Sequence, residues 1–326
     1  IAALGIAGLA GTMLVFKYPH LTGMLVGVHD TLLNLSAIEW IGLSYTTFRA
    51  MDLLLHVRSS RTASFRPVDG LAYLTFFPPF IAGPINRFAP FVKDQDGGQK
   101  PLPHAELRGL ILRFSVGVIK IVLLSRLAWY WSIPGLPADL DGVSRGQAVL
   151  GMYAYFVYVY FEFSGYTDIV IVLARLFGVT VPENFRSPLL AANIQDFWNR
   201  WQISLSQWCR DHIFYALVRR LAQGNPRLPT LAASMISILA TFLFIGSWHG
   251  DSLNWVLYGL YHGIGLAGWM LWRQWLKRVP AFADYLDTSA MWRVASTALT
   301  FNFVTWGLLL SLNSAHMHRV IHTIFG

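Results

Sequence analysis

Residues 229–248 form a run of twenty positions without one charged side chain, and comparable apolar runs recur along the chain. A helix that crosses a bilayer needs about 20 apolar residues, so runs of this length indicate membrane spans. The composition agrees, because 55% of the residues are hydrophobic, only 13% are charged, and the mean hydropathy is +0.46. An average soluble domain carries about 25% charged residues. We therefore predict an all-α, multi-pass protein of the cell (inner) membrane.

Apolar length predicts about seven to nine membrane segments. Segment 71–85 is interrupted by prolines and a glycine, which predicts a bent or re-entrant element. Segment 146–179 is too long for one straight crossing, so we expect a tilted helix or a kink near Ser164 and Gly165. Segment 191–221 mixes aromatic and charged residues, and lies either at the membrane interface or folded into the protein. The remaining predicted spans are 1–16, 35–57, 107–131, 229–248, 253–275 and 292–312.

The net charge of +8 comes from basic residues that cluster in short loops between the apolar runs. Cytoplasmic loops of membrane proteins carry such an excess of Lys and Arg. A nucleic-acid-binding protein would gather its basic groups in one solvated patch, so the predicted partner is the lipid bilayer and not nucleic acid. The clusters are Arg58, Arg61 and Arg66; Arg219, Arg220 and Arg227; and Arg273, Lys277 and Arg278.

The sequence contains no internal repeat and no long linker, which predicts a single domain over residues 1–326. It does not begin with Met, and residues 1–16 already resemble the interior of a span, so we expect that the natural N-terminal segment is missing. Cys209 is the only cysteine, which excludes an intramolecular disulfide and a cysteine-based metal site. No other metal-ligand motif occurs, so no metal site is predicted.

Two polar motifs interrupt the apolar sequence. Residues 196–212 read DFWNRWQISLSQWCRDH, and Trp248, His249 and Gly250 end a long uncharged run. Charged and polar side chains persist at membrane depth mainly where they face a protein interior or an aqueous cavity. The two motifs flank one apolar segment, which predicts a polar reaction chamber inside a membrane protein.

Two histidines lie close to the second motif. A neutral imidazole can take a proton from an alcohol, so His249 is a candidate general base for acyl transfer. The alternative is a histidine that anchors a helix end at the membrane interface. His262 lies thirteen residues later, too far along the chain to share a helical turn with His249. We expect His262 to be a hydrogen-bonded helix histidine.

Several charged residues lie inside predicted spans, and four of them could interact with one another or with the core. Glu162 and Asp168 could relay protons or ions, which would make the protein a transporter. The favoured interpretation is structural, in which both carboxylates bind arginines and backbone donors in the core. Arg49 and Asp52 lie three residues apart on one helical face, where they could pair with each other.

Several short motifs recur in a characteristic order and spacing. They are residues 43–49 (LSYTTFR), 80–87 (FIAGPINR), 161–168 (FEFSGYTD), 182–185 (PENF), 196–201 (DFWNRW), 204–206 (SLS), Arg210-Asp211 and 248–250 (WHG). Together they resemble the membrane-bound O-acyltransferase (MBOAT) family over roughly residues 40–310. The similarity is to its bacterial branch, which includes the membrane proteins of alginate O-acetylation and teichoic-acid D-alanylation.

The resemblance implies many helices around a transmembrane tunnel, with re-entrant and amphipathic helices, and the catalytic His249 at its narrow middle. The bacterial branch usually has a second histidine at the position of Gln202. Glutamine hydrogen-bonds but does not titrate, so Gln202 would orient the acceptor or polarise the acyl carbonyl while His249 acts as the only base. The departure from histidine could also indicate an altered substrate or weakened activity. The residues implied to line the chamber or the donor entrance are Trp198, Asn199, Arg200, Trp201, Ser204, Arg210, Asp211 and Trp248.

The implied activity is transfer of an acyl group, acetyl ahead of D-alanyl, from a thioester on coenzyme A or a phosphopantetheine carrier protein. No bound cofactor is implied, because the thioester is a substrate that arrives from the cytoplasm. The acceptor would be a hydroxyl of an envelope polysaccharide or exopolysaccharide, or an extracytoplasmic acyltransferase that relays the group. Two alternatives stay open from sequence: an ion-coupled transporter, and a non-catalytic membrane scaffold of an envelope-modifying complex.

Overall fold

The computed structural model describes residues 42–59, 65–98, 101–137, 139–224, 228–250 and 252–326, together with Gly8. The predicted span 1–16 lies outside the described residues apart from that glycine. Helices dominate the described part, where the β-structure consists of one isolated bridge between Phe185 and Trp201. The all-α prediction is confirmed.

The chain divides into two compact units. The first contains Ile1–Gly117 and Tyr166–Glu183, and the second contains Val118–Gly165 and Asn184–Gly326. The helices up to the long central one are α1 Leu43–Ser59, α2 Pro67–Thr75, α3 Phe88–Asp96, α4 His104–Ile119, α5 Arg126–Trp131 and α6 Arg145–Leu176. Those after it are α7 Ile194–Trp198, α8 Ile203–Cys209, α9 Tyr215–Gly224, α10 Thr230–His249, α11 Leu253–Leu276, α12 Pro280–Thr288, α13 Ala290–Leu308 and α14 Ser314–Phe325.

Three helices of the described part are long and apolar enough to cross a membrane: α6, α10 and the segment Ala290–Ser311 that contains α13. They coincide with the predicted spans 146–179, 229–248 and 292–312. The α-helical assignment of α6 continues without a break past Ser164 and Gly165. Segment 253–275 forms α11, while 107–131 forms α4, a π-helical turn and α5 in succession.

In the first unit, the expected pair between Arg49 and Asp52 is wrong. The guanidinium of Arg49 is fully buried and donates to the carbonyls of Tyr73 and Phe76, the latter at 3.1 Å. The last carbonyls of a helix have no partner within it, and α2 ends two residues beyond Tyr73. Asp52 pairs instead with Arg87 at 2.8 Å. Segment 71–85 does bend, because α2 gives way to turns and extended chain.

The two carboxylates of α6 differ in their surroundings. Asp168 accepts a hydrogen bond from Arg113 at 2.9 Å, and the same guanidinium holds Glu183 at 2.5 Å. The structural interpretation is therefore confirmed for Asp168. Glu162 does not follow it, since its Oε2 atom is buried without a hydrogen-bond partner among the described residues.

Segment 191–221 is folded into the second unit, as one of its two predicted alternatives requires. Asn193 caps α7 by accepting the amide N–H of Asp196 at 2.8 Å, which favours a helix start at this point. The ring of Trp201 then stacks on Phe197 at 5.5 Å and packs against Phe156 of α6 at 5.4 Å. This aromatic contact fixes the polar segment to the long central helix.

Helices α10 and α11 form an antiparallel hairpin whose backbones touch. A side-chain carbon at Gly246 would overlap the carbonyl oxygen of Trp255 and the backbone of Gly259. A side-chain carbon at Gly259 would in turn overlap the carbonyl of Phe242. Glycine is therefore required at both positions of this crossing, which we call the glycine seam.

Candidate active site

His249 is the last residue of α10, so the imidazole lies at a helix end as expected. Its ring stacks on Trp255 of α11 at 5.0 Å with an interplanar angle of 21°. The edge of Tyr258 approaches the same imidazole at 5.9 Å. A Cβ atom at Gly250 would overlap the Trp255 indole, so this glycine makes room for the stacking ring. Two aromatic rings of α11 thus hold the half-buried imidazole in one orientation.

Gln202 lies at the turn between α7 and α8, and only 3% of its surface is exposed. Its backbone is left-handed, with a φ of +44°. The residues that follow it are fixed by Asn184, whose backbone carbonyl accepts the N–H of Ile203 at 3.0 Å. The Asn184 side chain accepts both the N–H and the hydroxyl of Ser204, at 3.1 and 2.7 Å. Asn184 therefore holds the turn that carries Gln202.

A cavity of about 250 Å³ lies between the α7–α8 region and the α10–α11 hairpin. Of the predicted site residues, Trp198, Asn199 and Arg210 line it. His249 and Gln202 are not in its wall, but Ile245, one helical turn before His249, is. The other lining residues are Gln195, Ser206, Cys209, Phe214, Ile238, Thr241, Phe242, Leu266, Trp269 and Met270.

The remaining predicted chamber residues serve contacts outside the cavity wall. Arg200 pairs with Asp196 at 2.7 Å, a helical turn away. Trp201 belongs to the aromatic contact with α6, and Ser204 is bound to Asn184 as described above. Asp211 and Arg210 approach to 3.9 Å at about half exposure. Trp248 is buried, and its ring contacts His249 at 4.7 Å.

His262 differs from its sequence prediction. Its ring is 1% exposed, and neither ring nitrogen has a hydrogen-bond partner among the described residues. The expectation of a hydrogen-bonded helix histidine is therefore wrong. The rings of Tyr258 and Trp198 lie at 4.5 and 5.2 Å from it. Sequence reasoning missed these neighbours because they come from two elements, α11 itself and the distant α7.

Asn184 was also missed as a separate site residue. The only signal was its place in the motif at residues 182–185, whose spacing says nothing about a contact made twenty residues later. No group of three or more His, Cys, Asp or Glu side chains in the described ranges is arranged to hold a metal ion.

Comparisons with known proteins agree with this architecture. The sequence profile of the MBOAT, membrane-bound O-acyltransferase family matches residues 1–311. The chain is 31% identical to a teichoic acid D-alanyltransferase of Bacillus subtilis (strain 168) over 285 residues, which is 86% of this chain and 71% of the relative. It is 34% identical to the probable alginate O-acetylase AlgI of Pseudomonas aeruginosa over 229 residues, 70% of this chain and 42% of that relative. A teichoic acid D-alanyltransferase of Lacticaseibacillus rhamnosus is 29% identical over 289 residues, 82% of this chain and 69% of the relative.

The profile match covers nearly the whole chain, and the described helices are those of a membrane protein. The resemblance inferred from the motifs is thereby confirmed, and with it the assignment of an O-acyltransferase that resides in the membrane. This protein belongs to the membrane-bound O-acyltransferase family.

Proposed function

We propose that this protein transfers an acyl group from a cytoplasmic thioester to a hydroxyl of an envelope polysaccharide or of a relay partner, with His249 as the general base. The observation that carries the proposal is the place of His249, one turn of α10 beyond a cavity wall that includes Ile245. Four helical residues span about 6 Å, so a thioester held in the cavity would end close to the imidazole.

The proposed orientation of the hairpin in the membrane rests on the basic residues before α10 and after α11, which lie at the same end of the hairpin. Arg219 and Arg220 precede α10, while Arg273 and Lys277 stand at the end of α11. Loops rich in Lys and Arg stay in the cytoplasm, so this end of the hairpin faces the donor. His249 lies at the opposite end of α10. The cavity then lies between the cytoplasmic end and the base, which is the order that a donor and an acceptor from opposite sides require.

One base is sufficient for the proposed reaction, because His249 carries a single proton from the acceptor hydroxyl to the leaving thiolate. His249 takes the proton of the acceptor hydroxyl as its oxygen attacks the thioester carbonyl carbon. The tetrahedral intermediate collapses with cleavage of the carbon–sulfur bond, and the imidazolium returns the proton to the leaving thiolate. Gln202 cannot titrate, and we assign it the role of orienting the attacking hydroxyl.

The cavity wall favours acetyl over D-alanyl as the acyl group. A D-alanyl group carries an ammonium, which needs a carboxylate when it leaves water. The residues that line the cavity include the cation Arg210 and no carboxylate. D-alanyl is the second candidate, because two of the relatives described above carry that activity in their names and align over most of this chain.

Arg210 also indicates the donor. It lies in the cavity wall at about half exposure, so it can meet the phosphate of coenzyme A or of a phosphopantetheine carrier protein. The partners that we propose for this route are a carrier protein on the cytoplasmic side, if the donor is not coenzyme A, and an extracytoplasmic acyltransferase on the other side, if the group is relayed. Asn199 and Trp198 complete the polar and aromatic wall along which the arm of the donor would extend.

The test is transfer of labelled acetyl from its thioester into envelope glycan in isolated membranes. His249→Ala should lower the rate about 100- to 10,000-fold at matched expression, because general-base catalysis contributes that much. His318→Ala is the control, since this histidine is exposed on α14 and far from the helix hairpin in sequence.

Undiminished transfer with His249→Ala would contradict the proposal. A protein complex that keeps forming, with normal product from its other members, would then identify a scaffold. Ion-coupled uptake that depends on Glu162 would identify a transporter. If the wild-type protein transfers no acetyl, the same assay with a D-alanyl carrier decides between the two acyl groups.

A further inference from the structure

His262 is a buried polar side chain that makes no hydrogen bond with the described residues. Its exposure is 1%, and both ring nitrogens lack a partner among the described residues. Buried polar groups are nearly always hydrogen-bonded, because leaving one unsatisfied is costly, so each exception needs an explanation. The proposed reaction as described so far has no role for this imidazole.

Aromatic rings surround the imidazole. The rings of Tyr258, Trp198 and Phe303 have their centres 4.5, 5.2 and 5.7 Å from that of His262. Ring faces accept hydrogen bonds only weakly. The backbone of Gly307 packs closely against Nε2, since a Cβ atom at this position would come within 2.9 Å of the nitrogen. Packing therefore fixes the side chain, while neither ring nitrogen makes a hydrogen bond with the described residues.

Trp198, a neighbour of His262, also has a buried nitrogen without a hydrogen-bond partner among the described residues. The indole N–H is buried and has no hydrogen-bond partner in the described part of the chain. Unlike His262, Trp198 lies directly in the wall of the cavity. Its ring meets that of His262 edge to face, at an angle of 89°. Two neighbouring side chains, of which Trp198 lines the 250 Å³ cavity, therefore have buried nitrogens without a partner in the described part of the chain.

Along α11, His262 lies between a residue of the cavity wall and a residue that contacts the base. Along one face of α11, Tyr258, His262 and Leu266 follow each other at intervals of one turn. Tyr258 contacts the imidazole of His249, and Leu266 lines the cavity. His262 therefore occupies the turn at which a thioester extending from the cavity would approach His249.

We propose that Trp198 and His262 bind the acyl carbonyl oxygen of the thioester and hold it while His249 activates the acceptor. The inference rests on the proposed function and adds two substrate-binding residues to it. An indole has one N–H to donate, and an imidazole carries at least one N–H in either protonation state. A carbonyl oxygen has two lone pairs and gains negative charge as the hydroxyl attacks. Two fixed donors in a dry site stabilise that charge without reorganising.

The variants His262→Leu and Trp198→Phe test the proposal. Neither removes a hydrogen bond made within the described structure, so an effect on transfer reports on a bond to the substrate. Each should lower kcat for acetyl transfer about 100- to 1,000-fold, the loss measured when one oxyanion donor is deleted. The double variant should be little worse than either single one, because both donors serve one oxygen.

Two rescue variants identify the nitrogen that acts. His262→Asn places an amide N–H near the position of Nδ1, and His262→Gln places one near Nε2. One of them should recover at least tenfold of the activity lost with His262→Leu. A purely structural histidine would not produce this difference between two amides. The matched control is His318→Leu, which removes an exposed histidine on α14.

A second readout measures binding without catalysis. The probe is the acetonyl thioether of coenzyme A, which keeps a carbonyl but cannot transfer its group. Purified His262→Leu and Trp198→Phe proteins should bind it at least tenfold more weakly than the wild type. Thermal unfolding of both should be unchanged. If His262→Leu does not fold, the same measurements are made with Trp198→Phe and His262→Asn.

Wild-type rates of transfer and wild-type affinity for the probe in both variants would overturn the inference and leave a buried water as the partner of these nitrogens. His249 would keep its role in that case. A wild-type protein that transfers neither acetyl nor D-alanyl would overturn the proposed function and this inference together.

Discussion

At the scale of single residues, the turn that carries Gln202 depends on one amide. A left-handed backbone costs a non-glycine residue about 1–2 kcal/mol, so the surroundings must hold it. Asn184 does so through two acceptors, its backbone carbonyl for Ile203 and its side-chain oxygen for Ser204. The side chain is fully buried, which leaves no room for water to take over these bonds.

Asn184→Ala should therefore leave the N–H and the hydroxyl of Ser204 without an acceptor. We expect a loss of about 1–3 kcal/mol for an unsatisfied buried group, and acyl transfer reduced at least tenfold because Gln202 loses its support. Thermal unfolding in detergent and the acetyl-transfer assay measure the two effects. The control is Asn302→Ala, an exposed amide on α13. Full activity in Asn184→Ala would separate the turn from catalysis.

At the scale of elements, the hairpin of α10 and α11 is the frame of the site. The glycine seam brings the two backbones into contact, and this places Trp255 and Tyr258 of α11 against the imidazole at the end of α10. Helices pack at about 8–10 Å when side chains separate them, so only residues without a Cβ atom allow a closer approach. The orientation of His249 follows from this crossing.

Gly246→Ala should force the hairpin apart, because its methyl group would meet the backbone of Gly259 and the carbonyl of Trp255. We expect a destabilisation of about 1–3 kcal/mol and a large loss of transfer. The matched control is Gly268→Ala in the same hairpin, where a methyl group meets nothing within 4 Å. That substitution should stabilise α11 by about 0.5–1 kcal/mol through helix propensity. Equal unfolding temperatures for the two variants would contradict the claim that the glycine seam requires glycine at position 246.

The sequence predicts elements better than contacts. Apolar length anticipates α6, α10 and the Ala290–Ser311 segment, since each depends only on consecutive residues. The sequence does not predict the partners of Arg49, because the carbonyls that bind it lie 24 and 27 residues away, in the last turn of α2 and just beyond it. The unpaired state of His262 is equally hidden, since it results from rings that three helices bring together.

At the scale of the whole molecule, the distribution of charge gives the hairpin a direction across the membrane. The basic residues that flank it stand before α10 and at the end of α11, so we expect Gly250 and Ser252, between the two helices, on the opposite side of the membrane. The candidate donor cavity and the candidate base are ordered along that direction. The basic loops in the sequence predict the orientation, whereas the order of the two candidate sites is inferred from the structure.

Cysteine labelling tests this orientation, because the only native thiol, Cys209, is 1% exposed and gives little background. Ser252→Cys should react with a membrane-impermeant maleimide in intact cells or spheroplasts. Gly224→Cys, at the exposed end of α9, should react only after the membrane is opened. Labelling in the reverse order would invert the assignment of donor and acceptor sides.

The glycine seam has a further consequence for the cell that houses the protein. A living membrane stores energy as a voltage, and each elementary charge that leaks through 100 mV dissipates about 2.3 kcal/mol. A continuous column of water between the donor and acceptor sides would conduct protons and dissipate the membrane potential. At the seam the backbones of α10 and α11 are in contact, which leaves no space for water between them. We expect membranes that contain the protein to hold their potential during turnover, so that chemical groups cross while current does not.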